Sequence, residues 1–435
     1  MPDLTHFHDP ATETADRETL DHRHAAVLAE MLPELFDNNP FYRRKWCSQG
    51  WDQAPAAADF SILPFTTKQE LVADAAQAPP YGSNLTYPLE QYVRLHQTSG
   101  TSGHPLVVLD TGDSWESWKQ GWASILKAAG VRPGDCVFVA FSFGPFVGFW
   151  SGFEAAQMIG CRVLTGGGQS SSQRLDAIYR HQARVLLSTP SYALYLAEAA
   201  RQEGRDLAAG PVEISIHAGE PGASIPATRA RIEAAWGARC FDHVGASEVG
   251  PYGFDCHARS GGVHVNEWEY ICEVIDSTTQ QPAPAGVQGE LVMTNLNRWG
   301  FPVVRYRTGD LVRFGADKRC DCGRWYRVLE GGVLGRSDDM MTIRGINIFP
   351  SSIEAVVREV DEVVEFQGTV SSRHGLDQLT LNVELTPGSQ SRAAQVGASL
   401  AQTLRRRLGL RIDVTVAEPG SLPRFELKAR RFRRE

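Results

Sequence analysis

The chain has 435 residues, of which 42% are hydrophobic and 22% are charged, and its formal net charge at pH 7 is −8. This length allows two or more domains with a large core, and the composition is ordinary for a soluble globular protein. Because nucleic-acid binding requires a basic face, the negative balance argues against a nucleic-acid partner.

The first twenty residues are polar and acidic, without the pattern of a secretory signal, so we expect a cytoplasmic protein. The most apolar stretch, residues 137–160, contains Glu154, Gln157 and several glycines. This stretch predicts a buried strand and helix rather than a membrane span. The eight cysteines are expected to be mostly reduced, because a long chain without a secretory signal seldom carries a disulfide framework.

The first strong pattern covers residues 22–46, where apolar residues recur every three or four positions. It predicts a helix that is interrupted at Pro33. Strand-like residues 92–95 and 106–109 then flank the polar stretch from Thr98 to His104. Seven residues are more than a simple hairpin turn requires, so this stretch needs another explanation.

From about residue 115 to residue 245, helical and strand-like segments alternate. The predicted helices cover residues 114–130, 148–160, 171–182, 191–204 and 225–237. The predicted strands cover residues 135–142, 161–167, 183–189, 212–219 and 238–246. This repeated alternation predicts an α/β fold with a mostly parallel sheet covered by helices.

After residue 245 the sequence pattern changes twice. Residues 263–315 are richer in strand-like runs with glycine and proline turns, which predicts a smaller β subdomain. The last hundred residues predict helices and strands in the order αββαβ, which suits a small α+β domain. We therefore expect a large domain over residues 1–335 and a small C-terminal domain over residues 336–435, joined near residues 335–345.

The stretch TSGTSG, residues 98–103, has the composition of a loop that wraps anionic oxygens. Glycine lets backbone N–H groups approach a ligand closely, and hydroxyl groups add donors. It is not a Walker A loop, because no G-K-[ST] follows and the next residues predict a strand. Taken alone, the string is explained equally well as an exposed polar loop.

Further motifs accompany this loop along nearly the whole chain. They read LPFTTKQEL (63–71), HAGEP (217–221), HVGASEVGP (243–251), YRTGDLV (306–312), RCDCGR (319–324), GRSDDMMTIRGINIFPSSIE (335–354) and PRFELKARR (423–431). In order and rough spacing they resemble the adenylate-forming superfamily of acyl-CoA ligases and adenylation domains. The residues within these motifs are most similar to those of the phenylacetate–CoA ligase branch.

The resemblance implies two half-reactions that use ATP, Mg²⁺ and coenzyme A. A carboxylate first attacks the α-phosphate of ATP, giving an acyl-adenylate and pyrophosphate, and a thiol then displaces AMP. The first step brings an anionic nucleophile to a polyanion, so it needs positive charge and hydrogen-bond donors where negative charge develops.

The resemblance also implies roles for individual residues. The loop Thr98, Ser99, Gly100, Thr101, Ser102 and Gly103 would hold the β- and γ-phosphates. Glu248 would bind Mg²⁺, Asp310 would accept hydrogen bonds from the ribose hydroxyls, and Arg336 would add a polar contact nearby. The other expected nucleotide-binding residues are Gly219, Glu220, Pro221, Asp242, His243 and Ser247. The competing interpretations are that Glu248 is an exposed loop acid, that Asp310 is a turn aspartate and that Arg336 is a surface arginine.

Lys428 would be the catalytic lysine, acting with Glu248. It lies far from the loop in sequence, and the resemblance implies a mobile C-terminal domain that swings it into the site, with Asp338 at the hinge. A solvated basic tail is the competing interpretation. Two positions depart from the family pattern: His104 replaces the usual lysine after the loop, and Leu427 replaces the usual glycine before Lys428.

Two thiols in CDCG, Cys320 and Cys322, form a plausible tetrahedral ligand set with Cys256 and His264. The C-x-C spacing is a weak signal, but the resemblance supports it, since some relatives are thought to bind zinc there. With four protein ligands the zinc would be structural. His257 is the alternative fourth ligand, and reduced thiols without a metal are the competing interpretation.

The resemblance implies an acyl pocket shaped as an aromatic slot. The matching residues are Phe141, Phe143, Phe146, Phe149, Ala218, Gly245 and Ala246. Several phenylalanines favour a flat ring, so we expect a benzoate-like or arylacetate-like substrate. His217 or His243 could hydrogen-bond a ring substituent, although such histidines are more often structural.

Other readings keep part of this chemistry. A carrier-protein phosphopantetheine or an amine could replace coenzyme A, although the lack of a fused carrier domain favours free coenzyme A. A non-catalytic nucleotide-binding relative is a further alternative, which the retained Glu248, Asp310 and Lys428 argue against. A homodimer is compatible with the branch, but no interface motif identifies one.

Overall fold

The protein is described by a computed structural model that covers residues 4–98, 105–141, 143–259, 261–343, 346–373, 376–425 and 429–435. The helices are α1 (Pro10–Glu13), α2 (Arg17–Asn38), α3 (Pro40–Cys47), α4 (Lys68–Gln77), α5 (Gly112–Ala128), α6 (Trp150–Met158), α7 (Ser171–Arg180), α8 (Pro190–Gln202), α9 (Pro226–Trp236), α10 (Pro350–Arg358) and α11 (Ala393–Leu408).

The strands β1 to β12 are β1 (Tyr92–Gln97), β2 (Val107–Thr111), β3 (Cys136–Val139), β4 (Arg162–Thr165), β5 (Val185–Ser188), β6 (Ile214–His217), β7 (Arg239–Ala246), β8 (Gly250–Phe254), β9 (Gly262–Val265), β10 (Tyr270–Ile275), β11 (Gly289–Asn295) and β12 (Tyr306–Val312). The remaining strands are β13 (Val328–Glu330), β14 (Gly335–Arg336), β15 (Met341–Ile343), β16 (Ile346–Ile348), β17 (Val363–Arg373), β18 (Leu376–Leu385), β19 (Asp413–Ala417) and β20 (Phe432–Arg434).

A large sheet has the strand order β13-β9-β8-β7-β6-β5-β3-β4. The strands from β4 to β7 are parallel, and β8, β9 and β13 extend the sheet in antiparallel fashion. The predicted α/β alternation is therefore confirmed for the parallel part.

The parallel strands separate two hydrophobic cores, because successive side chains of a strand point to opposite faces. On one face Val137 and Val139 pack with Trp122 and Leu126 of α5. On the other face Phe138 packs in the core built from α7, α8 and α9. Both faces are covered, which explains why these strands read as continuous apolar runs.

The predicted β subdomain corresponds to a second, antiparallel sheet of order β10-β11-β12-β14. Residues 263–276, the first strand-like run within residues 263–315, do not form one strand, however. A turn at Asn266 divides it, since the backbone N–H groups of Glu269 and Tyr270 both donate to the Asn266 carbonyl. As a result β9 joins the large sheet and β10 joins the smaller one.

The predicted interruption at Pro33 is wrong, because α2 continues through this residue to Asn38. The break falls at Asn39, whose side chain accepts a hydrogen bond from the Tyr42 N–H at 3.1 Å. Pro40 then takes the first position of α3, where its missing N–H is not needed. The boundary between the two helices is therefore set by the cap at Asn39 and not by Pro33.

The C-terminal part forms its own α+β unit. Its sheet has the order β19-β18-β17-β20, and Ile353 and Val357 of α10 pack against it with Leu400 and Leu404 of α11. The expected order αββαβ is confirmed, with the short β20 added beside β17.

None of the helices in the described ranges combines the length and the apolar character that crossing a membrane requires.

Candidate active site

Most of the described candidate residues lie at one edge of the large sheet, where its parallel strands end. Phe141 follows β3, the segment 218–221 follows β6, and Asp242 to Ala246 form the end of β7. In open α/β sheets this carboxyl edge is the usual place for a ligand. Ser99, Gly100, Thr101, Ser102, Gly103, His104, Leu427 and Lys428 lie outside the described residues.

Thr98 closes the base of the glycine-rich stretch. Its N–H donates to the Leu106 carbonyl at 2.9 Å, and its hydroxyl accepts from the Leu106 N–H at 3.0 Å. These bonds extend the pairing of β1 with β2 to residues 98 and 106.

Glu248 follows β7 and is buried, with 5% of its surface exposed. The Lys68 ammonium at the start of α4 lies 3.1 Å from its carboxylate. The Tyr306 hydroxyl also contacts this carboxylate, and burial together with Glu248 raises the pKa of Tyr306. The carboxylate thus already attracts a cation. Lys68 was not predicted as a site residue, although it lies in the motif LPFTTKQEL (63–71).

Arg298 fixes the backbone of the Glu248 segment. Its guanidinium donates to the carbonyls of Ser247 and Glu248, at 3.0 and 2.9 Å. It also forms a two-pronged ion pair with Asp110 of β2, at 2.5 and 3.1 Å. Both side chains are buried, so this pair ties β2 to the end of β7. No local motif marks Arg298, because its partners are distant in sequence.

Asp310 and Arg336 meet where β12 pairs with β14. The guanidinium of Arg336 donates to Asp310 at 2.7 Å and to Asp338 at 2.8 and 3.0 Å. The Tyr252 hydroxyl donates to the other Asp310 oxygen at 3.2 Å. Burial raises the pKa of Asp310, and Arg336 partly offsets that effect. Arg336 therefore connects Asp310, the residue expected to bind the ribose, to Asp338, the expected hinge residue.

Asp242 is buried at the end of β7 and accepts a hydrogen bond from the Ser224 hydroxyl. Burial raises the pKa of Asp242 to about 6, although the Ser224 bond acts in the opposite direction. The neighbouring Gly219 has a φ of +94°, a conformation that favours glycine in the turn after β6.

Both carboxylate oxygens of Glu220 accept hydrogen bonds from backbone N–H groups. One oxygen accepts from the Ser191 N–H at 2.8 Å, and the other accepts from the Ala429 N–H at 2.7 Å. Ser191 lies in the first turn of α8, whereas Ala429 directly follows Lys428 in the sequence. Pro221, next in the chain, is exposed.

Phe141 and Phe149, two residues of the expected slot, form an aromatic cluster with Trp122 and His243. The rings of Phe141 and Phe149 meet edge to face at 5.4 Å. Trp122 of α5 packs against Phe149 at 5.6 Å and against His243 at 4.5 Å. Sequence reasoning missed Trp122, although the spacing of the α5 tryptophans places them on a buried helix face.

Phe143 belongs to a second aromatic group, against Trp150 at 4.5 Å and Phe153 at 5.9 Å. Phe146 is half-buried. Ala218 packs against the same core as Phe141. At the end of β7, Gly245 is exposed and Ala246 is half-buried. The expected slot residues thus divide between two neighbouring groups.

The two histidines considered for a ring substituent differ. Both ring nitrogens of His217 are occupied, by Ser188 at 3.2 Å and Ser215 at 3.0 Å, and burial lowers its pKa to about 3. His217 is therefore structural. His243 donates through Nδ1 to the Gly253 carbonyl at 2.8 Å, and burial lowers its pKa to about 4. Its Nε2 faces Gly245.

A separate cluster unites Cys256, His264, Cys320 and Cys322, whose ligand atoms all lie within 4.8 Å of one another. The Sγ atoms of Cys256 and Cys320 are 4.0 Å apart, and Cys322 Sγ lies 3.6 Å from His264 Nε2. Tetrahedral zinc with its usual bond lengths separates such atoms by roughly 3.5–3.8 Å. His257 does not belong to this cluster.

The surroundings of this cluster suit a metal ligand set. His264 Nδ1 donates to the Tyr326 carbonyl at 2.9 Å, which leaves Nε2 free to coordinate. Hydrogen bonds with Cys256 and Cys320 lower the pKa of Cys322 against the effect of burial, so its thiolate is favoured. The four residues therefore fit a closed Cys₃His site.

The sequence is similar to a family of AMP-binding enzymes and to known coenzyme A ligases. A family model described as the AMP-binding enzyme C-terminal domain matches residues 345–434. The chain is 32% identical to the phenylacetate-coenzyme A ligase of Thermus thermophilus, over 97% of this chain and 97% of that protein.

The fold is similar to two solved structures of 2-hydroxyisobutyryl-CoA ligase. One, in the postadenylation state with 2-HIB-AMP, has a TM-score of 0.93 at 28% identity and covers 100% of this chain and 94% of that one. The other, with 2-HIB-AMP and CoA in the thioesterification state, has a TM-score of 0.75 at 29% identity, with the same coverage.

Proposed function

Because the chain belongs to the phenylacetate–coenzyme A ligase family, we propose that it activates an aromatic carboxylic acid with ATP and transfers the acyl group to coenzyme A. It is an AMP-forming acid–thiol ligase. The observation that carries this function is the family relationship at 32% identity over nearly the full length of both chains.

In the first half-reaction the substrate carboxylate displaces pyrophosphate from ATP and forms an acyl-adenylate. We assign the nucleotide to the carboxyl edge of the large sheet. Thr98 would hold the base of the phosphate-binding stretch, and Gly219, Pro221, Asp242, His243 and Ser247 would line the nucleotide site. Preorganised donors and positive charge at this edge would stabilise the charge that develops on the phosphates.

Glu248 fits a magnesium ligand, because proteins hold Mg²⁺ through one or two carboxylates together with substrate phosphates. Bound Mg²⁺ neutralises phosphate oxygens as a Lewis acid. Lys68 contacts the same carboxylate at 3.1 Å and would place a second positive charge beside it. This charge would compensate in part for the lysine that the family usually has after the loop, where this chain has His104.

Asp310 would bind the ribose, since a carboxylate offers two acceptor oxygens to a vicinal diol. Arg336 holds this carboxylate in place and connects it to Asp338, the proposed hinge. We propose a domain division into residues 1–335 and 336–435, and the pairing of β14 with β12 anchors the junction on the large domain.

Lys428 would contribute its positive charge to the adenylation step and would leave the site before the thiol enters. The acyl group would lie against the aromatic cluster, where Trp122 and Phe149 form a buried floor. A flat ring packs better against such walls than a flexible alkyl chain does. His243 is the candidate for contact with a ring substituent.

We also propose that Cys256, His264, Cys320 and Cys322 hold a structural zinc ion. A closed site with four protein ligands leaves no position for substrate. The ion would tie β9 to the segment around residue 322, two parts of the chain that are distant in sequence.

The proposed function is tested by pyrophosphate release with ATP and Mg²⁺ across a panel of aryl and alkyl carboxylic acids, with and without coenzyme A. We expect release that depends on an aryl acid, increases with coenzyme A and is lost in Lys428→Ala. Release that coenzyme A does not change would support a carrier-protein or amine acceptor. No release with any acid, despite ATP binding, would support a non-catalytic relative.

Replacing Asp310 by asparagine is expected to raise the KM for ATP about tenfold or more, because one charged acceptor for the ribose is lost. The KM for the carboxylic acid should change little. Glu290→Gln is the matched control, since Glu290 of β11 pairs at 2.8 Å with Arg307 of β12, the strand that also carries Asp310. Equal effects of both variants on the KM for ATP would show that Asp310 acts only through the fold.

A further inference from the structure

Cross-domain contacts join residues near Lys428 to both ends of α8 and to the turn after β6. The Ala429 N–H donates to Glu220 at 2.7 Å. Arg431 donates to the Ser191 hydroxyl at 3.0 Å, and Arg424 forms two bonds to Glu198, at 2.9 and 3.0 Å. The described residues before and after residues 426–428 are thus both bound to the large domain, at α8 and at Glu220.

Glu220 occupies the middle of this contact. Its carboxylate bridges two backbone donors, one in the first turn of α8 and one at Ala429. Hydrogen bonds to an ionised acceptor are stronger than neutral ones, and the N-terminus of a helix favours negative charge. The backbone N–H directly after Lys428 is therefore held by a side chain of the large domain.

Arg431 connects the same contact to the core of the C-terminal domain. Its guanidinium is buried and pairs with Glu365 of β17 at 2.7 Å, while another of its nitrogens reaches Ser191. A movement of the C-terminal sheet away from α8 would have to break this bond and the Glu220–Ala429 bond together.

Solved structures of 2-hydroxyisobutyryl-CoA ligase represent several states, and this chain matches those states unequally. The chain superimposes on the postadenylation state of 2-hydroxyisobutyryl-CoA ligase with a TM-score of 0.93, but on its thioesterification state with 0.75. The same relative therefore exists in an arrangement that this structure matches and in one that it does not. Contacts that are specific to the matched arrangement favour adenylation over the thiol step.

We propose that Glu220 is a positioning residue for the adenylation half-reaction, which holds the chain beside Lys428 on α8 and must release it before the thiol step. This inference rests on the proposed function. It also changes the role expected for Glu220, because its two oxygens serve Ser191 and Ala429 rather than the nucleotide.

The test is Glu220→Gln in the full-length enzyme, with each half-reaction measured separately. Glutamine keeps the shape but turns one acceptor into a donor, so one of the two N–H groups loses its partner. We expect acid-dependent ATP–pyrophosphate exchange to slow about tenfold to a hundredfold. Thioester formation from synthetic acyl-adenylate and coenzyme A should stay unchanged or become faster.

Two further variants separate positioning from folding. Ser191→Ala removes the hydroxyl that Arg431 reaches and should slow exchange in the same direction by a smaller factor. Thr189→Val removes the side chain that caps α8 through the Tyr192 N–H, at 3.2 Å, without touching Ala429. It should lower the melting temperature while the ratio of the two half-reactions stays unchanged.

The outcomes are distinct. If Glu220→Gln slows both half-reactions equally, or neither, Glu220 does not position the lysine segment and the inference is wrong. If the wild-type enzyme shows no acid-dependent exchange, the proposed function itself fails and this inference fails with it. Only slowed exchange with an intact thiol step supports the positioning role.

Discussion

Replacing Glu248 by glutamine is expected to slow acid-dependent ATP–pyrophosphate exchange by about a hundredfold to a thousandfold. Glutamine keeps the size of the side chain but removes the negative charge that would hold Mg²⁺ next to the phosphates. The same change removes the partner of Lys68, which lies 3.1 Å from this carboxylate. Exchange should also require a higher Mg²⁺ concentration for half-maximal rate, which a purely structural defect would not produce.

Glu273→Gln is the matched control for this variant. Glu273 is also a largely buried carboxylate and pairs with Arg305 at 2.9 and 3.0 Å, away from the candidate site. It should cost stability while kcat/KM stays within a few-fold of wild type. The magnesium role of Glu248 would be contradicted if both variants kept the wild-type dependence of the exchange rate on Mg²⁺ concentration.

The second large effect is expected at the zinc site. Cys322→Ser should abolish zinc binding and lower the free energy of unfolding by on the order of 4 kcal/mol. A missing thiolate opens the coordination sphere and leaves the other buried ligands without their ion. The measurement is zinc content per chain by elemental analysis, together with denaturant unfolding of the same samples.

The cluster also borders the N-terminal segment. Arg324, two residues after Cys322, is buried, pairs with Glu13 and donates to the His6 carbonyl at 2.8 Å. Loss of the ion should therefore loosen the docking of α1, and limited proteolysis near residue 10 should become faster in Cys322→Ser.

Cys272→Ser is the control for the thiol-to-hydroxyl change, because Cys272 is buried in β10 outside the cluster. It should keep the zinc and lose only about 1–3 kcal/mol, the cost of burying a hydroxyl without a full set of partners. A wild-type protein that is purified without chelators and contains no zinc would instead support reduced thiols without a metal.

Most of the parallel sheet was predictable because β3 to β6 are short runs rich in apolar residues, and each of them is followed by a helix with a buried face. An apolar run indicates a buried strand by itself, without knowledge of which distant residues the strand contacts. Elements whose form depends on neighbours were missed or misplaced. Run 263–276 looks continuous but turns at Asn266, and α2 passes through Pro33 because the capping residue comes only at Asn39.

The candidate site divides in the same way. Residues inside recognisable motifs, such as Glu248, Asp310 and Arg336, could be named from the sequence, and the structure brings the last two into contact. Lys68 and Arg298 could not, because their importance lies in contacts with residues about 50 to 190 positions away. The contact between Glu220 and Ala429 likewise depends on how the C-terminal domain docks, which a linear motif does not encode.

The most direct measurement is product analysis by mass spectrometry after incubation of the wild-type enzyme with ATP, Mg²⁺, coenzyme A and single carboxylic acids. The panel should contain phenylacetate, benzoates with different ring substituents, and alkyl acids that include 2-hydroxyisobutyrate. We predict equal amounts of AMP and an aryl-CoA thioester, with an aryl acid preferred over every alkyl acid. A preference for an alkyl acid, or AMP formed without any CoA thioester, would contradict the proposed function.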